Sequence, residues 1–376
     1  MMSAHTSYHI LHTEWSSGWG GQEQRIILEC RKAVERGHEV LIACQPGSGI
    51  LAKAQESGIS VAVVAMRSAY DPRAIAQLVR LIRSRRIDVV NTHSGKDTWL
   101  GSIAARVAGA RLLVRTRHLS IPISTSPFNF VHRMADGIIT TGEAIRQELI
   151  TRNRLPADRI ISIATGVSIQ RFDPQTVDAS SVRRELGVAF DAQVVTMVAV
   201  LRSMKRHDLF IEAARQLSDR YPAARFMIVG EGPGRNGIES LIRDAGLQER
   251  ITMTGYRQDI ERILAASDVV ALTSDRFEGV PQSLSQAMSM GLPVVAAPIG
   301  SIAELVRHEE TGLLATSGDA ASFAAAIGRL LESPVLRQRL GEGAMRHILE
   351  SYTDDIMIDR TISFYDQLLL RRESRQ

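Results

Sequence analysis

Thr273-Ser-Asp-Arg-Phe-Glu-Gly-Val-Pro-Gln-Ser-Leu-Ser-Gln-Ala-Met-Ser-Met-Gly291, running on into Leu292-Pro-Val-Val-Ala-Ala297, reads as the end of a strand, a loop, a helix and a second strand. The apolar run 268–273 supplies the first strand, and 293–297 the second. Between them, Glu278 falls in a loop at the carboxyl end of a strand, where ligands of parallel α/β sheets sit. The helix starting near Gln282 turns its free N–H groups to the same place, and Gln286, one turn in, points back to the mouth. A loop carboxylate, a helix N-terminus and an amide suit a hydroxyl-rich anionic ligand. The plain alternative is an exposed glutamate on a loop.

Outward from this unit, short β-branched runs alternate with segments of helical period. In the first half the expected strands are 9–13, 39–44, 61–66, 88–92, 111–115, 137–141 and 160–163. Apolar residues at i, i+3, i+4 and i+7 mark helices at 22–36, 72–85 and 98–109. The pattern restarts with strands at 194–200, 225–229, 251–254, 268–273 and 293–297. Such alternation implies crossover connections and parallel sheets covered on both faces. The fold class is therefore α/β, with two doubly wound Rossmann-like domains facing a cleft, as expected for 376 residues. Gly166-Val-Ser-Ile-Gln-Arg-Phe-Asp-Pro174 is turn-rich and marks the linker, giving domains 1–175 and 176–351. Residues 319–370 read as three helices without strands.

Composition excludes several classes. No apolar run approaches the ~18–20 residues of a membrane helix, and the start, MMSAHTSYHI, lacks the regions of a signal peptide. Two cysteines, Cys30 and Cys44, are too few for a disulfide framework or a thiolate metal site. A cytoplasmic location follows as the expectation, and no metal or cofactor is expected. Residues 1–175 hold 22 basic and 14 acidic side chains, a net +8, whereas residues 176–376 carry a net −4. Arg67, Arg80, Arg83, Arg85, Arg86, Arg111, Arg115 and Arg117 make much of the excess. A basic half suits peripheral contact with an anionic membrane face or a phosphorylated acceptor, or is simply solvated. Nucleic acid is excluded, because the basic residues are not interleaved with aromatics.

Three more loops carry chemistry. Gly18-Trp-Gly-Gly21 follows the first strand and opens a helix; it lacks the G-x-G-x-x-G spacing of dinucleotide binders. Its glycines let backbone approach an anion or merely make a tight turn. Gly230-Glu-Gly-Pro-Gly234 follows strand 225–229 and allows approach of a flat group such as a nucleobase. Lys205 and Arg206, with Arg202 upstream, open the helix 207–217. Cations at a helix N-terminus are locally unfavourable, and a pyrophosphate between them reverses that penalty.

These stretches resemble the "group 1" (family 4-like) retaining glycosyltransferases of GT-B architecture. The resemblance rests on 197–213 with Lys205-Arg-His-Asp208, 226–235 with Val229-Gly-Glu-Gly-Pro233, 251–274, 278–297 and 166–172, in the family's order. The first half matches through Gly20-Gly21, His93, His118 and 143–149. Glu278-Gly-Val-Pro-Gln with Gln286 looks closest to lipopolysaccharide and exopolysaccharide sugar transferases. The resemblance implies transfer of a sugar from a nucleotide diphosphate to a glycan or lipid-linked acceptor, without metal. It implies catalytic Glu278, Lys205 and His118, the last lining the reaction centre from the acceptor side, where His93 is a second candidate. Gly20, Gly21, Arg202, Arg206, Gly230, Glu231, Gly232, Pro233, Gly279, Val280 and Gln286 are implied to bind the donor.

Two departures stand out. Gln286 replaces the family's second glutamate, and Val200 its usual arginine. They keep open a catalytically silent nucleotide-sugar binder; an epimerase or hydrolase would need acid/base carboxylates that the sequence does not display. The resemblance also implies a C-terminal helix, 352–371, that crosses back to the first domain, with Ile356, Ile358, Ile362, Phe364, Tyr365 and Leu368 to Leu370 as its apolar surface. The Ser-, Thr- and Pro-rich stretch 119–128 is expected to shape the acceptor site.

Overall fold

The computed structural model describes residues 7–118, 123–124, 130–276 and 278–374. The segment 119–128 expected to shape the acceptor site lies outside them, save Ile123 and Ser124. The chain divides into two compact units, residues 1–166 with 354–376, and residues 167–353.

The N-terminal unit is built on a seven-stranded sheet. Its strands are β1 (His9–Glu14), β2 (Glu39–Cys44), β3 (Ser60–Val63), β4 (Val89–Thr92), β5 (Leu112–Arg117), β6 (Gly137–Thr140) and β7 (Ile160–Ser162). They are ordered 3-2-1-4-5-6-7, and every pairing is parallel. Alternate residues of each strand feed two cores, as the two-residue period requires. Ile10, Ile42, Val89, Leu112, Val114 and Ile139 face one layer; Leu11, Leu41, Val90, Leu113 and Ile138 face the other. Helix formation follows local signals. The Asp71 carboxylate accepts from the N–H groups of Arg73 and Ala74, and Pro72 starts the helix Pro72–Ser84.

The helix Asp354–Glu373 belongs to this unit and lays Met357, Ile358, Phe364, Tyr365, Leu368 and Leu369 into the first core. It begins two residues later than expected, and Leu370 faces outward at 63 % exposure. Its basic end is tied to the protein: Arg371 and Arg372 donate to the carbonyls of Asp158 and Arg111. Arg115, counted above among the surface cations, is buried.

The C-terminal unit carries a six-stranded parallel sheet of β8 (Val194–Val198), β9 (Arg225–Val229), β10 (Ile251–Gly255), β11 (Val269–Leu272), β12 (Val294–Ala296) and β13 (Gly312–Leu314), ordered 10-9-8-11-12-13. Strand β13 was not expected: three residues beside a short helix are too few to display a period. Strand β8 stops before the expected residue 200, because Ala199, Val200 and Leu201 leave the sheet to receive the glycine loop described below. The expected linker is docked over part of its length. Val167 donates to the Tyr352 carbonyl at 2.8 Å, and the buried Phe172 accepts at its carbonyl from the Ser289 hydroxyl at 3.0 Å. Helices Ala320–Glu332, Pro334–Ser351 and Asp354–Glu373 fill the C-terminal region, as read from the sequence.

Candidate functional site

In each sheet the strand order reverses beside the first strand, at β1/β4 and at β8/β11, and such reversals open a crevice at the carboxyl ends of the strands. The sequence-derived candidates gather at these two points.

In the C-terminal unit the loop after β8 and the loop after β11 are locked together. The Thr273 hydroxyl is shared between the carbonyls of Lys205 (3.0 Å) and Arg206 (2.8 Å), and Asp275 N–H donates to the Met204 carbonyl at 3.2 Å. This brings Lys205 Nζ to 2.5 Å from Glu278 Oε1, with the side chains only 15 % and 8 % exposed. A pair so poorly hydrated is costly to assemble, and removing either partner strands the other's charge. Arg206, at a left-handed φ of 52°, caps the helix His207–Ser218 with its backbone, and its guanidinium pairs with Asp208 and Asp275. The cationic penalty at this helix start is thus offset by carboxylates, one set for each cation. His207 is the first residue of that helix. Burial, then Lys205, pushes its imidazole down to about 4, and its Nε2 has no hydrogen-bond partner.

The glycines here serve backbone packing. A Cβ on Gly300 would lie 2.0 Å from the Glu278 carbonyl oxygen, and its φ of +52° also disfavours a side chain. Gly300 therefore fixes how the Glu278 loop sits. Gly230 takes a φ of +145°, and a Cβ there would lie 2.1 Å from the Ala199 carbonyl oxygen. The loop it begins is stitched to the β8 loop by Leu201 N–H to the Glu231 carbonyl (3.0 Å) and Gly234 N–H to the Leu201 carbonyl (2.9 Å), which also places Gly232 and Pro233. The Glu231 side chain pairs with Arg235. Gly279 and Val280 are buried beside Glu278; Gln286 is half-buried on the helix Gln282–Ser289; Arg202 is exposed. The buried Ser274 hydroxyl has no hydrogen-bond partner.

In the N-terminal unit, Gly20 and Gly21 open the helix Gly21–Glu35, where two carboxylates stand. Glu23 accepts from Gly20 N–H at 2.8 Å; Glu14 accepts from Ser16 N–H at 2.6 Å and from the Gln22 amide at 2.5 Å. Burial, then neighbouring Asp97, pushes the Glu14 carboxyl up to about 8. Asp97 accepts from His93 N–H (2.8 Å) and the Thr13 hydroxyl (3.0 Å). His93 is buried, and its ring lies between His12 (2.9 Å) and His118 (3.0 Å). Burial drives His93 and His118 well below the usual imidazole range; Arg25, Arg115 and Arg117 add to the effect on His118. Burial likewise lowers Arg115 to about 9 and Arg117 to about 10.

His12, Glu14, Asp97 and Ser274 were missed in the sequence. One signal was available: a parallel strand buried on both faces should be almost wholly apolar, yet β1 ends His12-Thr13-Glu14. Among the described residues, no group of three or more His, Cys, Asp or Glu is placed to hold a metal ion, and no helix is long and apolar enough to cross a membrane.

Comparison with known proteins agrees with this fold. The model for "Glycosyltransferase Family 4" matches residues 19–171, and that for "Glycosyl transferases group 1" matches residues 179–347. The chain belongs to this family of GT-B glycosyltransferases. It is 26 % identical, over 99 % of its length and 100 % of the relative's, to the UDP-Gal:alpha-D-GlcNAc-diphosphoundecaprenol alpha-1,3-galactosyltransferase of Escherichia coli. A glycosyltransferase from Rickettsia africae shares the fold at a TM-score of 0.87 with 20 % identity, covering 97 % of this chain and 99 % of that one. Anabaena HepE in complex with UDP-glucose superposes at 0.84 with 24 % identity, covering 96 % and 99 %.

Proposed function

We propose that the protein transfers a sugar from a nucleotide diphosphate to a lipid-linked diphosphate sugar, with retention of anomeric configuration and without a metal ion. The Lys205–Glu278 pair at the β8/β11 reversal carries this reading. A carboxylate suits the hydroxyls of a donor sugar, and an ammonium held beside it suits the diphosphate that must leave. Glu278 orients the sugar while Lys205, with Arg206 and Arg202 nearby, takes up the charge released to the diphosphate. The bond from the anomeric carbon to the phosphate oxygen breaks with its electron pair on that oxygen. The acceptor hydroxyl attacks from the same face, and its proton passes to the departing phosphate oxygen. His118 is assigned to the acceptor, and Gly20 and Gly21 to the donor phosphates, by the family resemblance.

The relative from E. coli supports both substrate classes: it is a galactosyltransferase that uses UDP-Gal and alpha-D-GlcNAc-diphosphoundecaprenol, and the similarity covers 99 % of this chain and 100 % of that one. The complex of HepE with UDP-glucose supports a uridine nucleotide as donor. Arg67, Arg73, Arg80, Arg83, Arg85 and Arg86 are exposed, which supports work at the inner face of an anionic membrane, in cell-surface polysaccharide or lipopolysaccharide synthesis. The specific rival is a silent binder, favoured by Gln286 and Val200, where the family resemblance implies a glutamate and an arginine.

The test is incubation of the protein with UDP-, GDP-, ADP- and CMP-sugars and a prenyl-diphosphate-linked N-acetylhexosamine, in EDTA, with the product followed by mass spectrometry and its anomeric configuration by NMR. Transfer with retention, lost in Glu278→Ala and Lys205→Ala, supports the reading. Nucleotide-sugar binding without transfer selects the silent binder, and no response to any nucleotide sugar overturns both.

A further inference from the structure

Three aromatic side chains from three separate segments meet on the surface of the N-terminal unit. Tyr70 ends the loop after β3, Trp99 stands in the second turn of the helix Gly95–Ala108 after β4, and Phe130 precedes the short helix Val131–Met134 after β5. The Tyr70 and Trp99 ring centroids lie 5.0 Å apart, and those of Trp99 and Phe130 lie 5.2 Å apart, edge to face. Both contacts suit aromatic pairs. Helix geometry explains why Trp99 faces outward. Its neighbours Thr98 and Leu100 are buried, and the outward stripe of that helix is Lys96, Trp99, Ile103 and Arg106, spaced three or four apart. None of the three aromatics belongs to either core layer, and Tyr70 and Phe130 remain 63 % and 52 % exposed. Single exposed apolar residues are ordinary, but a contiguous patch marks a docking surface.

The charges around the patch say what docks. Arg67 and Arg73 flank Tyr70 in the chain, and both are exposed. Arg133 N–H donates to the Phe130 carbonyl at 2.8 Å, and its side chain is exposed. Lys96, one turn before Trp99, holds its ammonium 4.0 Å from the centre of the Trp15 ring. The carboxylates nearest in the chain are spent inside the fold. Asp71 accepts from the N–H groups of Arg67, Arg73 and Ala74; Asp97 is buried; Asp136 pairs with Arg106. The cationic strip continues along the helix Pro72–Ser84, whose outward stripe is Arg73, Gln77, Arg80 and Ser84.

An apolar centre inside a cationic rim complements a surface with apolar chains beneath anionic phosphates. Tryptophan and tyrosine settle at the head-group level of bilayers, and arginines beside them gain from anionic lipid. A second copy of the chain fits poorly, because a two-fold contact apposes the same patch on both partners and would set the cationic rims against each other. The position has a consequence as well. The three segments follow the carboxyl ends of β3, β4 and β5, the end of the sheet at which His93 and His118 stand.

We propose that Tyr70, Trp99 and Phe130 enter the head-group region of an anionic lipid bilayer, with Arg67, Arg73 and Arg133 on the lipid phosphates. A protein docked in this way turns the acceptor end of its N-terminal sheet toward the surface that holds a lipid-linked acceptor. The proposal rests on the transferase reading for that benefit alone; the docking itself needs neither donor nor acceptor.

The experiment is co-flotation of the full chain with vesicles of phosphatidylcholine, alone or with about 30 mol % phosphatidylglycerol, free of any acceptor. Binding to the anionic vesicles is expected, at least about tenfold tighter than to the neutral ones. Arg67→Gln/Arg73→Gln/Arg133→Gln should lose at least about tenfold, and so should Tyr70→Ser/Phe130→Ser, which keeps every charge. Phosphatidylcholine brominated in its acyl chains should quench the tryptophan fluorescence of the bound parent and leave that of bound Trp99→Phe unquenched. Tyr70→Ser/Phe130→Ser should transfer sugar to a water-soluble short-chain acceptor within about twofold of the parent, yet at least about fivefold more slowly to an acceptor embedded in vesicles. Absence of parent binding to anionic vesicles overturns the proposal, as does binding that Tyr70→Ser/Phe130→Ser leaves unchanged, or quenching that survives in Trp99→Phe. A parent dimer that Tyr70→Ser/Phe130→Ser dissolves overturns it in favour of a second copy. Should that variant fail to fold, the brominated-lipid arm still decides. Failure of the transferase reading shows separately, as no transfer to either acceptor beside intact vesicle binding.

Discussion

In the N-terminal unit the strand order reverses between β1 and β4, and the residues there are His12, Thr13, Glu14, His93 and Asp97. In the C-terminal unit it reverses between β8 and β11, and there stand Lys205, Arg206, Asp275 and Glu278. The strand order is repeated; the chemistry is not. The first cluster is buried, and burial opposes protonation of its imidazoles His93 and His118. The second is a set of ion pairs, Lys205 with Glu278 and Arg206 with Asp208 and Asp275. One strand order repeated thus carries a buried imidazole cluster in one unit and a cluster of ion pairs in the other, and the division shows in which residues end the strands.

The largest effect should come from the charged side. Lys205→Ala or Glu278→Ala is expected to lower kcat by about 10²–10³-fold, since each removes stabilisation made as charge develops. Because the two share one contact, the double variant should cost much less than the product of the singles, which steady-state kinetics on the four proteins will measure. Gly300→Ala comes next. A methyl 2.0 Å from the Glu278 carbonyl oxygen must push that loop aside, so kcat should fall at least about tenfold and stability by roughly 1–3 kcal/mol, read by denaturant unfolding.

The third prediction belongs to the N-terminal side. Glu14 rises from its ordinary 4.5 to about 8 in the folded protein, so the folded state holds a proton that the unfolded state has released between those values. Stability should therefore fall as pH rises from about 4.5 to about 8, with no further loss from this group above it. Glu14→Gln should flatten that slope in thermal melts; an unchanged slope would show that Glu14 is not its source. The smallest effect is expected at Gln286. Gln286→Glu adds a charge-assisted acceptor and should tighten nucleotide-sugar binding severalfold, about 1 kcal/mol by calorimetry, without restoring or abolishing transfer.

The two sites were unequally legible in sequence. Lys205, Glu278 and the glycine loop announce themselves because they occupy short loops between strongly periodic elements, where residue type is decided by ligand or by backbone geometry. Their packing partners were hidden: that Gly230 and Gly300 clear a path for the carbonyls of Ala199 and Glu278 depends on loops distant in the chain. The histidine file was half visible. His93 and His118 were singled out through the family resemblance, His93 also by its place after a strand, but His12 lies inside a strand, and only the order β1-β4-β5 makes the three neighbours. The apolar surface of the C-terminal helix was legible in its residues, its crossing to the first domain only through the family resemblance, and its missed contact, Met357, sits among the apolar residues without a distinguishing period.

The most direct test of the division between the two sites is calorimetric titration of a UDP-sugar into the parent protein, Lys205→Ala, Glu278→Ala and His118→Ala, with sugar transfer assayed on the same preparations. The account predicts transfer lost in all three variants, and donor affinity lost in the first two yet retained within about threefold in His118→Ala. Donor binding that survives in Lys205→Ala and Glu278→Ala but fails in His118→Ala would contradict it.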